Sequence, residues 1–191
     1  MSRALLLVTL LGASCLPNPQ SLPEARESFD RRALLGSVIV STVPPLQEVG
    51  AVFDERLELV GYDLDPASPR RGDSVEIRFY WRARRSVSED YRVFIHADAQ
   101  ASGARRIHGD HFPAGGRYPT WAWREGELIA DAFRIAIPRD YGPDRLEIYA
   151  GLYRGEYRVP LTAPGLAPAD RENRSRAITI SLPSSVGASV P

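Results

Sequence analysis

Residues 75–83 alternate without a break: Val75, Ile77, Phe79, Trp81 and Ala83 take one parity, and Glu76, Arg78, Tyr80 and Arg82 the other. Successive side chains of a strand point to opposite faces, so this segment buries one face and wets the other. A helix would scatter the same apolar residues around its circumference. The pattern therefore demands a half-buried antiparallel strand, and with it a second layer to cover the apolar face. The period recurs. Leu57, Leu59 and Gly61 alternate with Glu58, Val60 and Tyr62; Tyr91, Val93, Ile95 and Ala97 form another face. Ile129, Phe133, Ile135 and Ile137 make an apolar face interrupted only by Asp131. Leu146, Ile148, Ala150 and Leu152 follow, then residues 177–182, with shorter candidates at 105–109 and 157–161. Turn residues separate these runs, among them Asp65 and Pro66, Ser102 and Gly103, residues 138–143, and Gly155. Seven to nine short strands without strand–helix alternation or an internal repeat predict an all-β fold, an antiparallel two-sheet sandwich over residues 51–182.

The N-terminus reads as an address. Arg3 is followed by an apolar run from Ala4 to Leu11, then by the small residues Gly12, Ala13 and Ser14, and then by Cys15. That order of charge, apolar stretch and small residues is a secretory signal peptide over 1–14, and the run is far short of the ~20 residues a membrane span needs. Cys15 is the single cysteine of the chain, so an intrachain disulfide is excluded. A cysteine directly after the small residues resembles a bacterial lipobox, although Gly12 stands where such a signal usually has leucine. The resemblance implies a diacylated, often triacylated Cys15, each buried methylene adding ~0.8 kcal/mol of membrane attachment. Leu16, in place of an aspartate, implies sorting to the outer membrane. Residues 15–50 are then a lipid-anchored tether. In it Pro17 and Pro19 discourage helix, Ser21 and Pro23 start a short helix running to about Leu35, and Val38, Ile39 and Val40 form an edge strand or docked arm. Residues 183–191 are a disordered, small-residue tail.

Charge narrows the function classes. The 24 basic and 24 acidic residues cancel, which argues against a nucleic-acid partner, since phosphate binding needs a basic excess on one face. All 24 basic residues are arginine, a bias that GC-rich coding produces without functional selection.

Three pieces of sequence carry a family resemblance. The first runs over residues 57–64, then Arg71, Gly72 and Asp73, then Phe79, Tyr80 and Trp81. The second covers 91–96. The third and most specific is Gly116, Arg117, Tyr118, Pro119 and Thr120, then Trp123, Gly126, Glu127 and Asp131, with Gly151, Leu152 and Tyr153 as a final part. Over about half the chain, these resemble the extracytoplasmic immunoglobulin-like β-sandwich module found at the C-terminal end of some large bacterial membrane glycosyltransferase-like proteins and also as a stand-alone domain. The resemblance implies an immunoglobulin-like sandwich with a short N-terminal helix and tether, in a setting of envelope polysaccharide or lipid-linked sugars. It carries over no catalytic residue. The chain has neither the membrane helices nor the transferase domain of the fused form, which leaves an accessory role.

Two constellations carry chemistry. Trp121, with Arg117, Arg124 and Tyr118, forms an aromatic loop in which rings stack on sugars and guanidinium groups bond hydroxyls; Trp121 is expected to be exposed, while Trp123 and Tyr118 suit a plug at one end of the core. His96, His108, Asp110 and His111 are the weaker candidates, a possible metal cluster near Asp98 whose spacing matches no standard motif. Glu125 and Glu127 flank Gly126 and read as solvated turn acids. No Gly-x-Ser-x-Gly elbow occurs. The expectation is a non-catalytic outer-membrane lipoprotein, periplasmic or surface-facing, with no cofactor, whose sandwich binds an envelope glycan or partner protein. The alternatives are an enzyme or accessory subunit of envelope polysaccharide metabolism with an unrecognised site, and a passive structural protein.

Overall fold

The computed structural model of the chain describes residues 21–42, 47–99, 106–166 and 172–182. The segment read as a signal peptide, Cys15, the first residues of the segment read as a tether and the segment read as a tail over 183–191 lie outside the described residues.

The fold is all-β, in two antiparallel sheets. The first sheet has the order β1–β7–β4–β3–β2–β10, built from β1 (Ile39–Val40), β7 (Leu128–Ala136), β4 (Ser74–Ala83), β3 (Leu57–Asp65), β2 (Gln47–Phe53) and β10 (Leu161–Ala163). The second has the order β11–β8–β5–β6, from β11 (Ser175–Ser181), β8 (Arg145–Arg154), β5 (Arg92–Ala99) and β6 (Ile107–His108), with β9 (Tyr157–Arg158) pairing back onto β8. Consecutive strands β4 and β5 lie in different sheets, and so do β7 and β8; β4 pairs with β7 while β5 pairs with β8. This double crossing locks the two layers together around one apolar core.

The alternating segments deliver that core. Val75, Ile77, Phe79, Trp81 and Ala83 of β4 are wholly enclosed, as are Val93, Ile95 and Ala97 of β5 and Leu146, Ile148, Ala150 and Leu152 of β8. Each large side chain so buried contributes about 1.5–3 kcal/mol relative to exposure. In β3 the parity shifts. A bulge between Leu59 and Gly61 breaks the register against β4, so Leu57 and Leu59 face inward, and then Tyr62 and Leu64 do. Tyr62 therefore joins the core edge instead of the wet face that strict alternation from Leu57 assigns it.

The segment read as a tether enters the fold well before residue 51. α1 (Leu22–Ser28) starts with the Ser21 N–H donating to the Glu24 carboxylate at 2.9 Å. It stops at Ser28, short of Leu35, because Phe29 turns extended and lays its ring on the aromatic loop. Leu34, Val38 and Val49 are core residues, and β1 pairs with β7 as the edge of the six-stranded sheet. A boundary at residue 50 follows from the onset of clear alternation, but Leu34, Val38 and Val49 lie before it and are buried in the same core.

Candidate functional site

The aromatic loop follows three residues in left-handed backbone, Ala114, Gly115 and Gly116, with φ of 53°, 64° and 80°. Two of the three are glycines, which take this region without a Cβ clash. The turn sends Tyr118 and Trp123 inward, and both are wholly buried. Trp123 Nε1 donates to Tyr118 O at 3.0 Å, and Tyr118 Oη reaches Ala122 O at 3.1 Å and the Glu127 carboxylate. Thr120 stitches the loop to the β4–β5 connection: its Oγ1 accepts from Tyr91 N at 2.8 Å and donates to Glu89 O at 2.6 Å. The two rings thus plug one end of the core.

The N-terminal segment covers this plug. Arg26 donates to the carbonyls of Trp121 and Val87 at 2.8 and 2.7 Å. The Phe29 ring meets Trp121 edge-on at 5.7 Å and Tyr118 at 5.6 Å. Glu27 pairs with Arg124, and Arg31 with Glu127. Trp121 is consequently half-buried and packed against the core, and Arg124 is engaged with α1. Glu127 is an internal ion-pair partner, not a solvated acid: its side chain retains 10% of its exposure. Of the four residues singled out for the loop, Arg117 stands exposed.

Arg117 lies at a groove of about 740 Å³ on the outer face of the six-stranded sheet. Arg78, Tyr80, Ser37, Ala130 and Ala132 share the lining. Small side chains open the floor, and the Tyr80 hydroxyl donates to Asp63 at 2.8 Å. Arg78 pairs with Glu76 at 3.1 Å. Arg117 bonds a backbone carbonyl, that of Ala114, through Nε, and among the described residues no carboxylate pairs with it. Sequence reasoning missed Arg78, Tyr80 and Ser37 as groove residues, because β1 and β4 are brought together only by their common neighbour β7.

Asp131, the acid in an otherwise apolar face, is wholly buried beside Trp81 and His111. Its Oδ2 accepts from Trp81 Nε1 at 3.3 Å and lies 3.0 Å from His111 Nε2, while Oδ1 accepts from Ala114 N at 2.9 Å. His111 Nδ1 lies 2.7 Å from Gly109 O. Both ring nitrogens thus face acceptors, the arrangement an imidazolium satisfies in full. Burial is the largest influence on His111 and pulls it down. The Asp131 hydrogen bond and charge, the Gly109 carbonyl and Asp110 together outweigh it and raise its pKa above the ordinary value. This buried pair bridges the sheets and fixes the start of the aromatic loop through Ala114.

The remaining histidines lie on the other face. His108 and Asp110 share a parity and point outward, whereas His111 has the opposite one. His96 of β5 sits opposite His108 in register, their rings 5.3 Å apart and edge-on. Ligand atoms of His96, His108 and Asp110 all lie within 4.8 Å of one another. The structure therefore brings together three of the four weak metal candidates and sends His111 to Asp131. Nearby, Asp98 accepts from both Arg106 and Arg174.

Against models of known protein families and against curated protein sequences, the chain matches none.

Proposed function

We propose that this protein is a non-catalytic binding domain of the bacterial cell envelope. In this reading it is exported, held to the outer membrane through a lipidated Cys15, and folded as an immunoglobulin-like β-sandwich that binds an acidic envelope glycan. The interlocked β4–β7 and β5–β8 pairs support the sandwich, since strands that leave one layer and return beside a non-sequential neighbour are the mark of Greek-key connections. The order of charge, apolar run, small residues and cysteine at the N-terminus supports export and anchoring.

The single observation that carries the ligand class is the groove at Arg117. An exposed guanidinium with no carboxylate partner among the described residues, beside Arg78, Ser37 and the Tyr80 edge, offers donors to a carboxylate or phosphate substituent and to hydroxyls. The alanine floor gives a sugar ring a flat, weakly apolar bed. Binding through Trp121 instead would require α1 and Phe29 to leave the loop, at the loss of the Arg26 and Arg124 contacts. The test is retention of the protein on purified acidic envelope polysaccharide. Replacing Arg117 and Arg78 together by alanine is expected to abolish retention while leaving the unfolding curve within about 0.5 kcal/mol, as for other surface changes. Equal retention of the double variant overturns the groove as the binding surface.

A further inference from the structure

We propose that His96, His108 and Asp110 form a binding site for a divalent transition-metal ion of the zinc class, on the outer face of the five-stranded sheet. The placement follows from register. His96 and His108 are directly paired across β5 and β6, and Asp110 follows two residues after His108 on the same face. The Asp110 carboxylate is held there, its Oδ1 accepting from the Ile95 N–H at 2.9 Å. Gly109, between them, permits the close approach: a Cβ there would lie 3.2 Å from the Ile95 side chain.

The decisive feature is His96. It keeps 7% of its surface, and its Nδ1 is fully enclosed without a hydrogen-bond partner among the described residues. An enclosed, unpaired ring nitrogen is an expensive feature to retain, and coordination of a cation through this Nδ1 would satisfy it. Two imidazoles and one carboxylate form a donor set suited to zinc and its neighbours, leaving further positions for water. Bonds of about 2.0–2.2 Å in a tetrahedral site place donor atoms roughly 3.3 Å apart. The atoms here lie within 4.8 Å of one another; Asp110 is held by Ile95 N–H, and the exposed His108 ring closes the difference by rotation. Arg106 and Arg174 would repel a cation, but Asp98 is ion-paired with both. His108 also lines a cavity of about 950 Å³ with Arg106 and Tyr141, so a solvent-borne ligand has access to the ion.

The experiment uses the untagged full chain, stripped with chelator and titrated with zinc by calorimetry. In parallel, ¹⁵N spectra follow the three histidine rings. One equivalent of zinc is expected to bind and to shift the His96 and His108 ring nitrogens while leaving His111, on the opposite face, unmoved. His108→Ala and Asp110→Asn alter exposed positions, and asparagine keeps the acceptor for Ile95 N–H; each is expected to weaken zinc at least tenfold with the fold intact. Absence of saturable binding, binding undiminished in both variants, or a shift confined to His111 overturns the site.

Discussion

Replacing Asp131 by asparagine tests the central electrostatic feature of the fold. Asparagine keeps the shape, and its Oδ1 still accepts from Ala114 N–H. At the other position an NH₂ group now faces two former donors, Trp81 Nε1 and His111 Nε2. Each stranded donor costs about 1–3 kcal/mol, and breaking a buried pair by removing one partner costs about 3–5 kcal/mol. The His111 side chain retains 16% of its exposure, so water relieves part of its loss, and the net expectation is about 3 kcal/mol near pH 5.5. The sign of the pH dependence follows from His111. Its folded pKa is raised above the unfolded value of about 6.5. The stabilisation is therefore fully present below about pH 6.5 and is lost as pH rises through the folded pKa, at about 1.4 kcal/mol for each unit by which it is raised. In the variant the Asp131 hydrogen bond and charge no longer oppose burial, so the pKa of His111 falls from its wild-type value and the stabilisation that is lost with rising pH shrinks. Urea unfolding of both proteins at pH 5.5 and 8.5, above the range where carboxylates titrate, should show a gap that narrows at the higher pH. A gap that stays constant or widens refutes the imidazolium–carboxylate assignment.

Three further outcomes follow. Trp81→Ala should destabilise the protein by about 3–5 kcal/mol in urea unfolding, as a large-to-small core change, since Trp81 is wholly enclosed and also donates to Asp131; an unchanged curve would remove Trp81 from the core. Trp81 and Trp123 are fully buried, so acrylamide quenching reports Trp121, and Phe29→Ala should increase that quenching by uncovering its ring; unchanged quenching would show that Phe29 does not cover it. Cys15→Ser should abolish labelling by palmitate and release the protein from the membrane fraction, whereas wild type and variant that fractionate identically without label would contradict the lipid anchor.

Fold class was legible in the sequence because it depends on local periodicity. The alternation of residues 75–83, 91–97 and 146–152 announces strands with one buried face, and a side chain's face is set by parity alone. Parity also separates His108 and Asp110 from His111, a signal present in the numbering itself. Asp131 was visible as an acid in an apolar row, and an acid there implies a buried partner.

Which partner it has depends on the tertiary structure. His111 reaches Asp131 because the stretch after β6, bridged to Val93 of β5, belongs to the layer that faces β7, a relation that no local pattern encodes. The shift of Tyr62 to the core edge depends on one bulge, whose extra residue reverses parity beyond it. The covering of Trp121 depends on Phe29, some ninety residues away, and the groove at Arg117 on a two-residue strand that pairs at the sheet edge. Sequence by itself determined what each segment would be, since that is a matter of backbone geometry and water. The tertiary structure decided which side chains meet, because contacts between distant segments depend on how whole sheets pack.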